Sequence, residues 1–350
     1  MATAATGGGN RVSDEGTQVA LVMDAQGATP EPDRRTIPTP GAGQVLVKVA
    51  ASSVNYHDMV NLAGLIWGEW PRVPMSDGAG EVVAVGPDVT DFSVGDRVMG
   101  AFHPDWQDGP PTPQAKAELP GDSGDGWLQQ YRVAPVTGLV ATPVHLTDLE
   151  AATLPCAGVT AWNALLEAEI GAGDVIVTQG TGGVSLFAVQ FARALGADVI
   201  LTSSSDEKLK IGSRLGATHL INYRSTPDWE NEVKRITDGR GADLVVDLGG
   251  PETLAQSVRA TRMGGTVAVI GVLTGFDHAP VPVADVMLNN IRIIGITVGS
   301  VLSFVELCEL ITTAQIRPHI SHVFDWTDLT EAVRVLQAGE HVGKIALRIT

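Results

Sequence analysis

The chain has 350 residues, of which 44% are apolar and 18% charged, which suits two globular domains with separate cores. Its formal net charge of −17 repels phosphate backbones and anionic lipids, so we expect no nucleic acid and no membrane as partners. The two cysteines, Cys156 and Cys308, form neither a disulfide framework nor a paired zinc motif, which favours a reducing, cytoplasmic location.

The first third of the chain is predicted to be a β domain preceded by an extension. Residues 1–17 are rich in Ala, Thr and Gly without an apolar core segment, so we expect a disordered extension rather than a signal peptide. Short β-type runs are predicted at Val19–Met23, Gln44–Ala50, Gly80–Gly86 and Arg97–Gly100. The five prolines in Phe102–Asp125 exclude regular structure and predict a long loop over one end of this domain.

From about Asp148 the pattern alternates between helices and strands. Leu149–Leu166 is predicted to form two helical pieces, because Pro155 and Gly158 interrupt it. The following units are predicted as Val175–Thr178 (strand), Val184–Leu195 (helix), Asp198–Thr202 (strand), Asp206–Leu215 (helix), His219–Ile221 (strand), Trp229–Thr237 (helix), Ala242–Asp247 (strand), Thr253–Thr261 (helix), Thr266–Gly271 (strand), Ile291–Val298 (strand) and Val301–Ala314 (helix). Such alternation is typical of a doubly wound parallel sheet. The tail strands, Ile320–Val323 and Lys344–Ile349, are predicted to rejoin the first domain.

The turn Gln179–Ser185 has the context of a dinucleotide site, because it follows a buried strand and opens a helix. Gly180 permits the tight turn, and Gly182 allows the backbone to approach a pyrophosphate. Thr181, Gly183 and Val184 complete the set of cofactor contacts that we predict here. Ser185 stands where the usual motif has its last glycine, and we expect it to pack closely against the sheet.

The residues after the second strand favour NADPH over NADH. An NAD site carries Asp or Glu at the end of this strand, whereas here Ser203 and Ser204 occupy it. Lys208 lies one helical turn further on, and Tyr223 follows the third strand. Hydroxyls and cations suit a 2′-phosphate, and the less favoured interpretation is that Lys208 and Arg224 are solvated surface cations. Asp206 and Glu207 are predicted to be acids at a helix N-terminus.

Three stretches, Ser52–Asp58, Pro74–Val82 and Ala151–Trp162, accompany the glycine-rich turn and a late Gly343-Lys344 pair. Together they resemble the medium-chain dehydrogenase/reductase superfamily, from about Val19 to Ile349. The chain is most similar to the zinc-independent quinone oxidoreductase-like and alcohol dehydrogenase-like branch.

The resemblance implies an α/β fold: a Rossmann doubly wound parallel sheet plus a GroES-like β domain, with the active site in the cleft between them. It places the GroES-like catalytic domain at 18–150 and 318–350 and the Rossmann NADP-binding domain at 151–317. It also implies cofactor contacts from Thr160, Gly271 and Lys344. Zinc members carry Cys, His and Cys where this chain has Asn55, Ser76 and Cys156, so we expect no zinc.

Without a metal, hydrogen-bond donors must meet the negative charge that develops on a substrate oxygen. Asn55, Tyr56 and His57 are the candidates, with Tyr56 or His57 as proton donor. If the segment is a strand, only one of those two side chains faces the cleft. Apolar candidates for a substrate pocket are Leu65, Trp67, Trp70, Phe102 and Trp106, for each of which core packing is an equally good interpretation.

The sequence therefore predicts an NADPH-dependent oxidoreductase acting on a small hydrophobic quinone or α,β-unsaturated carbonyl. A zinc-free alcohol dehydrogenase or ketone-aldehyde reductase is the alternative, and a non-catalytic NADPH-binding scaffold or sensor is the second alternative. The resemblance also suggests a homodimer through the edge of the Rossmann sheet, at Asn290–Val298.

Overall fold

A computed structural model of the chain describes residues 16–66, 68–276, 278 and 280–350. The predicted extension therefore lies almost wholly outside the described residues. Its last residue, Thr17, already belongs to the first strand. The elements of the first part are β1 (Thr17–Val22), β2 (Glu31–Thr36), β3 (Gln44–Val54), α1 (Tyr56–Leu62), β4 (Ala79–Val85), β5 (Arg97–Gly100), β6 (Tyr131–Pro135), β7 (Leu139–Ala141) and α2 (Asp148–Ala151).

The second part follows a π-helical turn at Leu154–Gly158, which contains the predicted interruption at Pro155. Its elements are α3 (Val159–Glu167), β8 (Val175–Gln179), α4 (Gly183–Ala194), β9 (Asp198–Ser203), α5 (Asp206–Arg214), β10 (His219–Asn222), α6 (Trp229–Ile236), β11 (Ala242–Asp247), α7 (Leu254–Ala260), β12 (Thr261–Val269), α8 (Val283–Leu288), β13 (Arg292–Gly295) and α9 (Val301–Ala314). The tail adds β14 (Ile320–Asp325), α10 (Leu329–Gln337) and β15 (Lys344–Arg348).

Two large sheets carry the molecule. Strands β8 to β13 form a parallel sheet in the order β10-β9-β8-β11-β12-β13, so the prediction of a doubly wound parallel sheet is confirmed. The other sheet has the order β14-β15-β3-β4-β5-β7, with β6 also paired to β3. Because β15 pairs with β3, the tail returns to the first part of the chain. The domain boundaries at 150 and 318 stay predictions.

Apolar packing joins the two parts. One buried cluster contains Phe102 and Val140 from the first part and Phe304 and Leu307 from α9. A second cluster fills the first sheet around Trp127, and a third lies on one face of the parallel sheet. Residues from both parts of the chain thus share one buried core.

The loop Phe102–Asp125 and the start of helix α1 lie near the cleft between the two parts. The segment Phe102–Asp125, all of whose residues are described, contains neither a helix nor a strand, which confirms the predicted loop. The idea that Tyr56 and His57 lie on a strand is wrong, because they open helix α1. The Asp58 carboxylate accepts a hydrogen bond from the Asn55 backbone N–H (2.9 Å), and this cap ends the preceding strand and starts the helix.

Candidate active site

The glycine-rich turn lies at the carboxyl end of β8. Gly180 has a φ of +77°, a left-handed conformation that favours glycine. A Cβ on Gly183 would lie 2.7 Å from Cδ of Lys344, so any larger residue would require the Lys344 side chain to shift. Ser185 is fully buried and donates to the carbonyl oxygen of Gln179 (2.6 Å), which confirms that it packs against the sheet. The turn and the start of α4 therefore present free backbone N–H groups to a phosphate.

The predicted 2′-phosphate residues gather at the carboxyl ends of β9 and β10. Ser203 is the last residue of β9 and Ser204 follows it. Tyr223 follows β10, its side chain partly exposed, and its backbone N–H bonds the Ser203 carbonyl (3.1 Å). Lys208 is not a solvated cation, because Nζ donates to the carbonyls of Gly339 (2.5 Å) and His341 (3.0 Å). Its partial burial lowers its pKa.

Asp206, Glu207 and Arg224 lie in the same corner but bond residues outside the glycine-rich turn. Asp206 opens α5 as predicted and accepts from Nδ2 of Asn222 (2.7 Å). Glu207 pairs with Lys210 (2.7 Å). The Arg224 side chain is exposed, while its backbone N–H bonds Asn222. Neither acid therefore faces the turn as a ribose ligand.

His341 is a residue at the turn that the sequence reasoning missed. Its Nε2 is the heavy atom nearest to the place where a Cβ of Gly182 would stand, at 3.9 Å. Burial, followed by the charges of Lys208 and Lys344, lowers the pKa of His341 to about 4. Its Nδ1 is buried without a hydrogen-bond partner among the described residues. A bare imidazole between two ammonium groups is well placed for an anionic ligand, and no motif in the sequence signals it.

The remaining predicted cofactor residues occupy the same cleft. Thr160 lies on α3 and donates to the carbonyl of Cys156 (2.7 Å). Val184 lies in the first turn of α4, half-buried. Gly271 follows β12, and a Cβ there would meet the Leu248 carbonyl at 2.1 Å, so glycine permits this close crossing. Thr181 accepts from the backbone N–H of Gly343 (2.8 Å), which ties the tail to the turn.

Lys344 connects this turn to a buried polar cluster, defined here as Asn55, Asp58, Ser76, Asp77 and Lys344. Its Nζ donates to Asn55 Oδ1 and lies 3.5 Å from Asp77 Oδ2. The Asn55 amide nitrogen donates to Asp58 Oδ2 (3.0 Å) and to Asp77 Oδ2 (2.8 Å). Both amide hydrogens are used, so the expected donation from Asn55 to a substrate oxygen is not available. Asn55 instead holds the ammonium and the carboxylates in place.

The carboxylates of the polar cluster are fixed from several sides. Asp77 accepts from the hydroxyl of Ser53 (2.6 Å) and from the backbone N–H of Cys156 (2.9 Å). Asp58 accepts from the backbone N–H and the hydroxyl of Ser76, both at 2.8 Å. Burial raises the pKa of Asp58, although the charge of nearby His57 acts in the opposite direction. All four carboxylate oxygens of Asp58 and Asp77 therefore accept at least one hydrogen bond from the protein.

This donor set does not fit a zinc ion. Zinc requires deprotonated thiolates, neutral imidazoles or free carboxylates, whereas Asn55 and Ser76 offer an amide and a hydroxyl. Burial and then the charge of Asp77 raise the pKa of the Cys156 thiol well above its usual range. The Lys344 ammonium would also repel a divalent cation. Within the described part of the chain, no group of three or more His, Cys, Asp and Glu side chains is arranged to hold a metal.

His57 forms a pair with a residue that the sequence did not reveal. Its Nε2 lies 3.0 Å from Oδ2 of Asp122, in the proline-rich loop. Asn61 Nδ2 donates to Asp122 Oδ1, and Arg72 donates to the Asp122 main-chain carbonyl. Burial alone lowers the pKa of His57, but the hydrogen bond and the charge of Asp122 outweigh burial and raise it. The pair thus favours the protonated imidazole.

The other candidates differ in their surroundings. Tyr56 is 37% exposed at the start of α1, whereas Phe102 and Trp106 are buried. Leu65 is 67% exposed, and Trp67 lies outside the described residues. Trp70 stacks under the guanidinium of Arg72, 3.9 Å from the ring centre. Of the predicted pocket residues, Phe102 contacts His57, with the ring centres 5.1 Å apart.

Comparison with known proteins accounts for both parts of the chain. The model of the alcohol dehydrogenase GroES-like domain matches residues 41–144, and that of the zinc-binding dehydrogenase matches 183–313. A zinc-type alcohol dehydrogenase-like protein of Schizosaccharomyces pombe is 41% identical over 315 residues, covering 88% of this chain and 91% of the relative. The chain belongs to the medium-chain dehydrogenase/reductase superfamily.

Solved structures of this superfamily agree with the fold. The crystal structure of a provisionally named alcohol dehydrogenase from Sinorhizobium meliloti 1021 has a TM-score of 0.90, at 39% identity, with 95% of this chain and 99% of that one covered. The quinone oxidoreductase from Coxiella burnetii has a TM-score of 0.75, at 25% identity, with 95% and 100% covered. The predicted GroES-like and Rossmann folds, and an oxidoreductase of the NAD(P)-dependent medium-chain type, are thereby confirmed.

Proposed function

We propose that the protein is a zinc-independent, NADPH-dependent oxidoreductase that transfers hydride to a quinone or an α,β-unsaturated carbonyl compound. The observation that carries the proposal is the Lys344 ammonium bonded to Asn55 within the polar cluster, where zinc relatives hold their metal. Because the polar cluster does not fit a Lewis-acid metal, we infer that the acceptor is activated by its own electron-poor bond and by hydrogen bonds.

The cofactor, when bound, supplies a hydride from the nicotinamide. The residues of the chain then provide the rest of the reaction. The turn at Gly180–Gly183 binds the pyrophosphate, and His341 lies beside it. His57, kept charged by Asp122, donates a proton to the reduced acceptor, so that hydride and proton together add two electrons and two hydrogens. The polar cluster fixes the start of α1 and therefore the position of His57.

The preference for NADPH rests on the corner at the ends of β9 and β10. Ser203 and Ser204 replace the acid that binds an adenine-ribose hydroxyl pair, and Lys208 contributes a cation held at fixed position by two carbonyls. Fluorescence titration should give a lower Kd for NADPH than for NADH. Equal values would contradict this part of the proposal.

The reaction itself is tested by following NADPH oxidation with enones, quinones, ketones and aldehydes, before and after dialysis against a chelator. We expect turnover with enones or quinones that survives chelation. Turnover confined to ketones and aldehydes would support the alternative of a zinc-free carbonyl reductase, since the His57–Asp122 pair can also protonate an alkoxide. NADPH binding without turnover of any acceptor would support the scaffold.

A homodimer through β13 is the assembly that the described surface favours. β13 is an edge strand of the parallel sheet, and Ile293 on it is 38% exposed. The apolar residues Phe276, Met287 and Leu288 are also exposed, at 71%, 67% and 68%. An apolar edge of this kind is suited to pairing with a second copy. Light scattering should give a dimer, and Ile293→Lys should yield monomer. A monomeric wild type would refute the assembly.

The described residues contain no helix that is long and apolar enough to cross a bilayer. We extend the proposal to a cytoplasmic location, which the two cysteines also favour because both are free thiols. Fractionation of cells that produce the protein would test it.

A further inference from the structure

The proline-rich loop carries a cation across the cleft. Lys116 Nζ donates to the hydroxyl of Thr297, which follows the carboxyl end of β13. The same loop is fastened to the start of α9, because Trp106 accepts from the backbone N–H of Val301 (2.8 Å). In a doubly wound sheet, ligands bind outside the carboxyl ends of the strands. Lys116 therefore lies on the wall of the cleft where an acceptor must enter.

The surroundings of Lys116 leave its charge uncompensated by the protein. Beyond Thr297, its ammonium lies 5.5 Å above the centre of the Trp106 ring. No described carboxylate forms an ion pair with it, and Glu118 on the same loop accepts instead from Ser123 (3.1 Å). Burial lowers the pKa of Lys116. In a chain of net charge −17, Lys116 thus offers a partly desolvated positive charge to an anionic ligand.

A row of rings leads from this cation to the proton donor. The His57 ring contacts Phe102 edge-on (5.1 Å), Phe102 contacts His103 (4.9 Å), and His103 contacts Trp106 (6.2 Å). His103 is only 5% exposed, and its Nδ1 has no hydrogen-bond partner among the described residues. Burial and then the Lys116 charge lower the pKa of His103 to about 4, so it stays neutral. The charged groups at the two ends of this row are thus His57 and Lys116.

We propose that Lys116 and Thr297 bind the carboxylate of an elongated acceptor whose activated double bond reaches His57. The inference rests on the proposed function and specifies its substrate as an unsaturated oxo acid rather than a neutral compound. A carboxylate accepts a charge-assisted bond from the ammonium and a neutral bond from the hydroxyl, which together satisfy both of its oxygens. The apolar chain between the two functional groups would pack against the outer edge of the aromatic row, whose rings beyond His57 are themselves buried.

The test uses enone carboxylates with increasing numbers of methylene groups between carbonyl and carboxylate, each compared with its methyl ester. The wild type should show a higher kcat/KM for one acid than for its ester. Lys116→Met should lower this acid-to-ester ratio by about tenfold or more, since a bond to a charged group is lost. Lys116→Arg should retain much of the ratio. Lys234→Met, at an exposed position on α6, is the matched control and should leave it unchanged.

A binding measurement keeps the inference independent of turnover. Calorimetry on the complex with NADP⁺ gives the Kd values of the saturated acid and of its ester. The acid should bind more tightly than the ester, and Lys116→Met should lose this preference. Thermal unfolding and NADPH titration show whether each variant is folded. Ester turnover without any preference for the acid would overturn the carboxylate site and leave the proposed function intact. Preferential binding of the acid without any turnover would overturn the proposed function and leave the carboxylate site intact.

Discussion

Replacing Asp122 by Asn should lower the pKa of His57, because it removes the carboxylate that lies 3.0 Å from Nε2. The change keeps the shape of the side chain. The amide oxygen can still accept from Asn61, and Arg72 bonds the main-chain carbonyl of residue 122 rather than its carboxylate. The perturbation therefore removes one charge and leaves the loop anchored.

The size of the effect follows from distance and burial. An opposite charge within about 4–6 Å shifts a pKa by about 1–3 units. The side chains of His57 and Asp122 are 27% and 13% exposed, so water screens the lost attraction only in part, and the decrease in the pKa of His57 should be large enough to measure. Each unit of decrease corresponds to about 1.36 kcal/mol. Burial, which lowers the pKa of His57, is then opposed only by the charges of Asp58 and Asp77.

The sign for stability is also fixed. Because the folded-state pKa of His57 is raised, the pair stabilises the fold below the ordinary histidine pKa, and this contribution is lost as pH rises through the raised value. Asp122→Asn should therefore destabilise the protein more near pH 6 than near pH 9. For activity, the loss of the protonated form with rising pH should begin at lower pH in the variant.

The assay is an NMR titration of the His57 ring, assigned with His57→Gln, together with the pH profile of kcat for the best enone. Asp148→Asn is the control, because it removes the carboxylate of another partly exposed ion pair, that with Arg97 (2.6 Å). It should leave the His57 titration unchanged. If Asp122→Asn leaves the His57 pKa where it was, or raises it, the reasoning about this pair is refuted.

Three further changes test the cofactor and the polar cluster. Lys344→Met should cost about 3–5 kcal/mol in urea unfolding, because it leaves Asp77 buried without a cation, and a second change, Asp77→Asn, should recover part of the loss. Ser204→Asp should shift the ratio of the Kd values for NADPH and NADH toward NADH by about tenfold or more, because a carboxylate repels the 2′-phosphate. For His341, a bound phosphate should favour the imidazolium, so wild-type NADPH affinity should rise as pH falls toward about 4, and His341→Ala should lack that part of the pH dependence in fluorescence titrations.

The elements that could be predicted from the sequence are those with a regular local pattern of apolar residues. In the parallel sheet, alternating apolar strands and amphipathic helices follow one another at short range, and α9 was predicted at Val301–Ala314, its observed bounds. Helix α1 was missed because the β-type residues of β3 run directly into it, and the cap made by Asp58 is visible only once Asn55 is known to end the strand. Helix α8 and strand β2, on the surface, were missed for lack of an apolar period.

The functional partners were harder to predict because they come from distant parts of the chain. Nothing near His57 in sequence indicates Asp122, which reaches it from a loop without regular structure. The Gly343-Lys344 pair was assigned to the cofactor by resemblance, yet the structure also joins the Lys344 ammonium to Asn55. His341 gave no signal, since a histidine near a chain end is ordinary until the fold brings it to Gly182.

The charge balance of the cleft shows that the residues at positions 55 and 76 are not the only obstacle to binding zinc. A catalytic zinc adds two positive charges, which thiolate or carboxylate ligands offset. Here Lys344 supplies a single positive charge against Asp77, while Asp58 has a raised pKa and bonds Ser76. Restoring Cys and His at positions 55 and 76 would leave that ammonium in the cluster. The proposal of metal-free chemistry therefore rests on Lys344 as much as on Asn55 and Ser76.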